Sequence, residues 1–136
     1  MPNSYTKSRC DYLWKAYKAA LARPDIRTHN DAIAAAIKSK SPRFWISTKE
    51  AAREIARMKK GRKTTYKDGN MKKEIINEVY KRYQRLENGF MKGSSIYLIT
   101  SFAVLSEAPQ FYISFARARK IINLMRNRAR NGAADR

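Results

Sequence analysis

Apolar residues along this chain return every three or four positions, the spacing of one helix face, in several separate stretches. Leu13, Tyr17, Ala20 and Leu21 predict a first helix over about 6–22, ended by Arg23-Pro24 because proline lacks an amide hydrogen and clashes with the preceding turn. Ile33, Ala36 and Ile37 predict a second over 31–38, with Asn30 as its N-cap. After an extended connector at 42–46, Ser47 is placed to cap a third helix, Glu50 to complete a capping box, and Gly61 to stop it. Ile75, Ile76, Val79, Tyr83 and Leu86 predict a long helix over about 71–87, ended by Asn88-Gly89. Pattern alone leaves 94–105 open, since Ile96-Tyr97-Leu98-Ile99-Thr100 has strand propensity. A last helix is expected from Ser114 to about 130, with 131–136 frayed.

An internal repeat organises these elements. Ser41-Pro42-Arg43-Phe44-Trp45-Ile46-Ser47 and Ala108-Pro109-Gln110-Phe111-Tyr112-Ile113-Ser114 are the same phrase, small-Pro-polar-Phe-aromatic-Ile-Ser. The register continues without a gap, with Ala51, Ile55 and Met58 falling on Ala118, Ile122 and Met125, steps of four and three that trace one helix face. Upstream, the stretch around Leu13 and Tyr17 can be laid on that around Ile76 and Tyr80, with a longer spacing in the second copy. The repeat sets 96–105 opposite the Ala-rich second helix, so a buried helix is expected there rather than a strand. The expected fold class is therefore all-α: about six helices, in two pseudo-repeated three-helix halves (1–63 and 64–136) sharing a core, with 59–70 as the linker.

Charge then changes the picture from fold to function. Thirty Lys and Arg stand against 11 Asp and Glu, a formal +19, and 43% hydrophobic content is enough for a folded domain. Self-repulsion of that size is relieved by a polyanion, and nucleic acid is the commonest, since each neutralised phosphate releases condensed counterions. A membrane is the rival, disfavoured because the apolar stretch 96–105 is too short to span a bilayer and no N-terminal signal or lipidation motif is read. The single Cys10 makes no internal disulfide, which fits a reducing cytoplasm, and one Cys with one His excludes a zinc site of the usual spacing.

The third helix of each half carries the candidate binding residues. With Ala51, Ile55 and Met58 inward, Lys49, Arg53, Arg57 and Lys60 form a separate stripe, extended by Lys59, Arg62 and Lys63. In the second copy Arg119, Asn123, Arg126 and Arg130 form the stripe, joined by Arg117, Lys120 and Arg128. A charge run is usually a solvated face, but two such helices at equivalent positions favour a docking surface, and arginine suits bidentate phosphate contact. Phe44 and Phe111 are read as core anchors. Trp45 and Tyr112 point the other way along an extended connector and stand open between packing and base stacking. A helix-turn-helix reader is disfavoured because the connector 40–47 is longer than its turn.

Enzyme readings find little. His29, between Thr28 and Asn30 at a helix start, suits a structural or exposed role, and the acidic residues are scattered as caps and ion-pair partners. Glu50 and Glu54 share a helix face, but Lys49, Arg53 and Arg57 beside them make a metal site unattractive. No Gly-rich phosphate loop or nucleophile elbow is present, so the reading is a non-enzymatic protein without cofactor or metal.

The two phrases, each followed by an Ala-containing helix, resemble those of small uncharacterised basic proteins of Bacteroides and crAss-like phages, with Gln110 departing from the Arg of the first phrase. That resemblance implies a bacterial or phage setting, where such a protein binds the genome or is built into a virion; it brings no site residues. The expected function is phosphate-dominated nucleic-acid binding, duplex DNA ahead of RNA. The alternative is a structural or assembly protein of a phage particle or ribonucleoprotein, homo-oligomeric or bound to an acidic protein.

Overall fold

The computed structural model describes residues 4–134, and side chains over 6–132. Among the described residues the regular elements are six α-helices and no strand: α1 (Ser4–Leu21), α2 (His29–Lys38), α3 (Thr48–Lys59), α4 (Met71–Asn88), α5 (Ile96–Val104) and α6 (Phe115–Ala134). The fold is all-α, and the segment that pattern alone left open is a helix.

The starts are set by side-chain oxygens that take up orphan amides. Thr28, in extended conformation, accepts from the Asp31 amide at 3.0 Å, so α2 begins at His29 and Asn30 lies inside it rather than capping it. Ser47 accepts from the Glu50 amide at 3.1 Å, Ser95 from Leu98 at 3.2 Å and Ser114 from Arg117 at 3.2 Å. The capping box expected at Ser47 is half made, because the Glu50 carboxylate is drawn elsewhere, to Tyr66 and Lys72. At the end of α3, Gly61 takes φ +78, its amide bonding to the Met58 carbonyl at 3.0 Å and that of Arg62 to Arg57 at 3.1 Å. This paired closure needs a left-handed residue, which glycine adopts without steric cost. Helix α6 runs to Ala134, beyond the expected end; of the tail expected to fray, 135–136 lie outside the described residues.

The chain divides into two compact units. Unit 1 is Met1–Ser41 with Pro109–Arg136, and unit 2 is Pro42–Ala108. In unit 1, α1 packs on α2 and both pack on α6, burying Leu13, Tyr17, Ala20, Ile33, Ala36, Phe111, Ala118 and Ile122. In unit 2, α5 packs on α3 and α4, which also meet, burying Phe44, Ile46, Ala51, Ile55, Ile75, Ile76, Val79, Tyr83, Ile99 and Ala103. The unit boundaries at 41/42 and 108/109 are not the sequence boundary at 63/64. Each third helix packs with the first two helices of the other sequence half, and each Pro-x-Phe phrase carries the chain from one unit into the other. Inside unit 1 the Phe111 amide bonds to the Ile37 carbonyl at 3.0 Å; inside unit 2 the Phe44 amide bonds to the Val104 carbonyl at 2.9 Å. One and the same offset along the chain separates the two phenylalanines and the two acceptors.

Two burial expectations are corrected. Leu21, placed on the inner side of α1, is 49% exposed, and α5 is buried on one side only: Ile99, Thr100, Ala103 and Val104 are inside, while Tyr97, Leu98, Phe102 and Leu105 are 46–59% exposed. Four packed residues per two turns satisfy the contacts of a nine-residue helix, so the rest of its apolar surface faces outward.

Candidate nucleic-acid interface

In unit 2 the inward side of α3 is fixed by Ala51 and Ile55, so Lys49, Arg53 and Lys60 project from the opposite side and are exposed. Arg57 is half-buried; its Nε donates to the Lys63 carbonyl at 3.4 Å. Lys59 stands apart from the stripe. Its Nζ ion-pairs with Glu87 on α4 and donates to the Tyr83 hydroxyl at 3.2 Å. The bond to Glu87 raises the Lys59 pKa, with the Tyr83 contact adding to it, and the same bond lowers that of Glu87. Lys59 is thus already neutralised by the protein's own carboxylate.

The loop after α3 is held by two carboxylates one helical turn apart. Glu54 is fully buried, and its oxygens accept from the Thr64 hydroxyl at 2.5 Å, the Thr65 amide at 2.7 Å, the Thr65 hydroxyl at 2.8 Å and the Arg53 Nε at 3.2 Å. Burial works to raise its pKa, but these donors outweigh burial and hold the carboxyl at about 2. Glu50 accepts from the Tyr66 hydroxyl and, at 2.8 Å, from Lys72 Nζ. Burial again pushes up, and the bonds from Lys72 and Tyr66 prevail, so its carboxyl is lowered. Burial and the Glu50 bond together raise the Tyr66 phenol. Pinned at Thr64, Thr65 and Tyr66, the loop presents Arg62, Lys63 and Lys67 to solvent.

In unit 1, α6 carries no acidic residue, and Arg117, Arg119, Lys120, Arg128 and Arg130 are exposed. Arg126 is half-buried instead, its guanidinium 3.2 Å from His29 Nδ1. A guanidinium only donates, so Nδ1 accepts and the ring proton sits on Nε2, 3.0 Å from Asn123 Oδ1; the Tyr17 hydroxyl lies 2.8 Å from the same Nδ1. Asn123 and Arg126 therefore fasten α6 to the start of α2, and the open part of the stripe is Arg119 and Arg130.

Trp45 is only 3% exposed, so it cannot serve as a stacking platform: the connector turns its indole inward along with Phe44 and Ile46, and the Arg43 guanidinium lies 5.5 Å from its ring centroid. Tyr112 is half-buried at φ +52, a left-handed position that breaks the alternation expected of an extended strand. Among the described residues no group of three or more His, Cys, Asp or Glu could hold a metal ion, and no helix is long and apolar enough to cross a membrane.

Sequence reasoning missed the loop anchors Glu50, Glu54, Thr64 and Thr65, and with them the exposed Lys67. The available signal was a pair of glutamates at i and i+4 on an otherwise basic helix, followed within a dozen residues by two threonines. Comparison finds no matching family model, no similar curated protein and no similar solved structure.

Proposed function

We propose that this protein binds nucleic acid without catalysis, duplex DNA ahead of RNA, by gripping the phosphate backbone with two cationic surfaces: the outer side of α3 with its loop, and α6. One observation carries the reading. Arg117, Arg119, Lys120, Arg128 and Arg130 all reach solvent from a helix that contains no carboxylate, so their charge is left for an external anion. Lys49, Arg53, Lys60, Arg62 and Lys63 supply a second cationic surface in unit 2. The resemblance of the two Pro-x-Phe phrases to basic proteins of Bacteroides and crAss-like phages agrees with a genome or virion setting. Binding to a short duplex, followed against salt, is expected to give a log-log slope of about −0.9 per neutralised phosphate, amounting to several phosphates. A flat salt response defeats the proposal.

A second reading, self-assembly, has its own support. Residues 93–106 are the longest uncharged stretch of a +19 chain, and from it Tyr97, Leu98, Phe102 and Leu105 stand about half exposed. Two copies meet with least charge repulsion at such a surface. Leu98→Lys with Phe102→Lys is expected to convert an oligomer to monomer in light scattering after nuclease treatment; a wild-type protein that is monomeric throughout removes this reading.

A further inference from the structure

In unit 2 the loop that follows α3 does more than extend a basic stripe. With α4 it borders an open hollow of about 820 Å³, whose lining includes Arg62, Lys63, Lys67, Lys73, Asn77 and Tyr80. Of its lining, Met58, Tyr66 and Tyr80 are half-buried, while Arg62, Lys63 and Lys67 are exposed. Four cations line it against one carboxylate, Asp68, which is paired with Lys73 and itself open to water. We infer that this hollow holds a backbone phosphate of the bound duplex, with Glu54 and Thr64 as positioning residues that keep its wall in place; the inference rests on the proposed function.

Three observations lead there. The hollow is wide and open, which suits a polymer passing through better than a small molecule enclosed on all sides. Its rim is covalently continuous with the stripe on α3, since Lys60, Gly61, Arg62 and Lys63 are consecutive. Its shape is fixed in advance: Gly61 reverses the chain, and Glu54, fully buried, takes two hydroxyls and an amide from Thr64 and Thr65. A loop ordered before binding loses less conformational entropy when it meets an anion, so its cations hold a phosphate more firmly than the same cations on a free loop.

The test compares salt dependence of duplex binding in five proteins. Replacing Arg62, Lys63 and Lys67 together by Gln is expected to lower the log-log slope by about one and weaken binding roughly tenfold. Thr64→Val leaves every cation in place but removes a bond to Glu54, and is expected to lower the slope likewise, while Thr64→Ser, which keeps the hydroxyl, retains the wild-type slope. A Gln triple variant with the wild-type slope overturns the inference, and if Arg117→Gln with Arg119→Gln still lowers the slope, the proposed function survives it. Loss of all salt-dependent binding in the wild type would overturn both. A wild-type slope in Thr64→Val overturns the positioning role. Should Thr64→Val fail to fold, backbone amide shifts of 61–68 in the wild-type protein decide: movement on adding duplex supports the hollow, and stillness there while α6 amides move overturns it.

Discussion

Helices α3 and α6 each follow a Pro-x-Phe phrase, start at a Ser cap and bury an Ala and an Ile four residues apart, yet they handle charge in opposite ways. Helix α3 mixes both signs. Its two glutamates turn inward and sideways to Thr64, Thr65, Tyr66 and Lys72, so its acid organises a loop while Lys49 and Lys60 are left outside. Helix α6 has base alone, with Arg126 steadied by a neutral imidazole edge rather than by a carboxylate. The difference teaches that a few acidic residues in a strongly basic chain need not reduce its cationic surface; when buried and saturated with donors, they build it.

The largest test of this comparison is at the shared core position. Ile55 and Ile122 are both fully buried, so Ile55→Ala and Ile122→Ala are each expected to cost about 2–5 kcal/mol in urea unfolding. Similar losses confirm that both helices are packed alike and differ only in charge; a loss near zero at Ile122 would break the parallel.

Next comes acid. Glu54 is held at about 2 against an ordinary 4.5, so the unfolded chain binds the proton more readily than the folded one. The resulting stability, about 3 kcal/mol, is complete above pH 4.5 and drains away as pH falls toward 2. Unit 2 should feel it and unit 1 should not. Trp45 lies in unit 2 and Trp14 in unit 1, so the fluorescence of Trp45 in a Trp14→Phe protein follows the right unit. Glu54→Gln should flatten this pH dependence; an unchanged profile would show that the carboxylate contributes nothing.

The smallest effect is at the caps. Ser47→Ala and Ser114→Ala each remove an acceptor for an orphan amide and are expected to cost about 1 kcal/mol. A clearly larger loss at Ser114 would sharpen the contrast, since α6 has no acidic residue in its first turn to share the helix dipole, whereas α3 has Glu50.

Much of the fold was legible because its determinants are local. Each helix was announced by apolar spacing, a Ser cap, a Pro or a Gly, and the repeat turned the ambiguous 96–105 toward helix. The misreadings came where local rules ran out. Alternation set Trp45 on the side away from Phe44 and Ile46 and left it open between packing and stacking; its burial follows because the connector does not keep strand geometry, as the left-handed Tyr112 in the second phrase demonstrates. Capping rules directed Glu50 back to Ser47, but a phenol and an ammonium from farther along the chain offered it stronger donors. Of the candidate site, the exposed cations of α6 and the loop were visible as a charge pattern, whereas the withdrawal of Lys59 to Glu87 and of Arg126 to His29 was not.

Sequence alone settled the helices, the starts at Ser47 and Ser114 and the excess of base, because backbone periodicity and side chain-to-amide capping act within a few residues. Only the tertiary structure decided that each third helix packs with the first two of the other sequence half, and that Glu54 spends its charge on a loop ten residues away. Both depend on which buried surfaces and donors meet across long stretches of chain, and a one-dimensional pattern carries the kinds of residue available for such meetings without carrying the pairing.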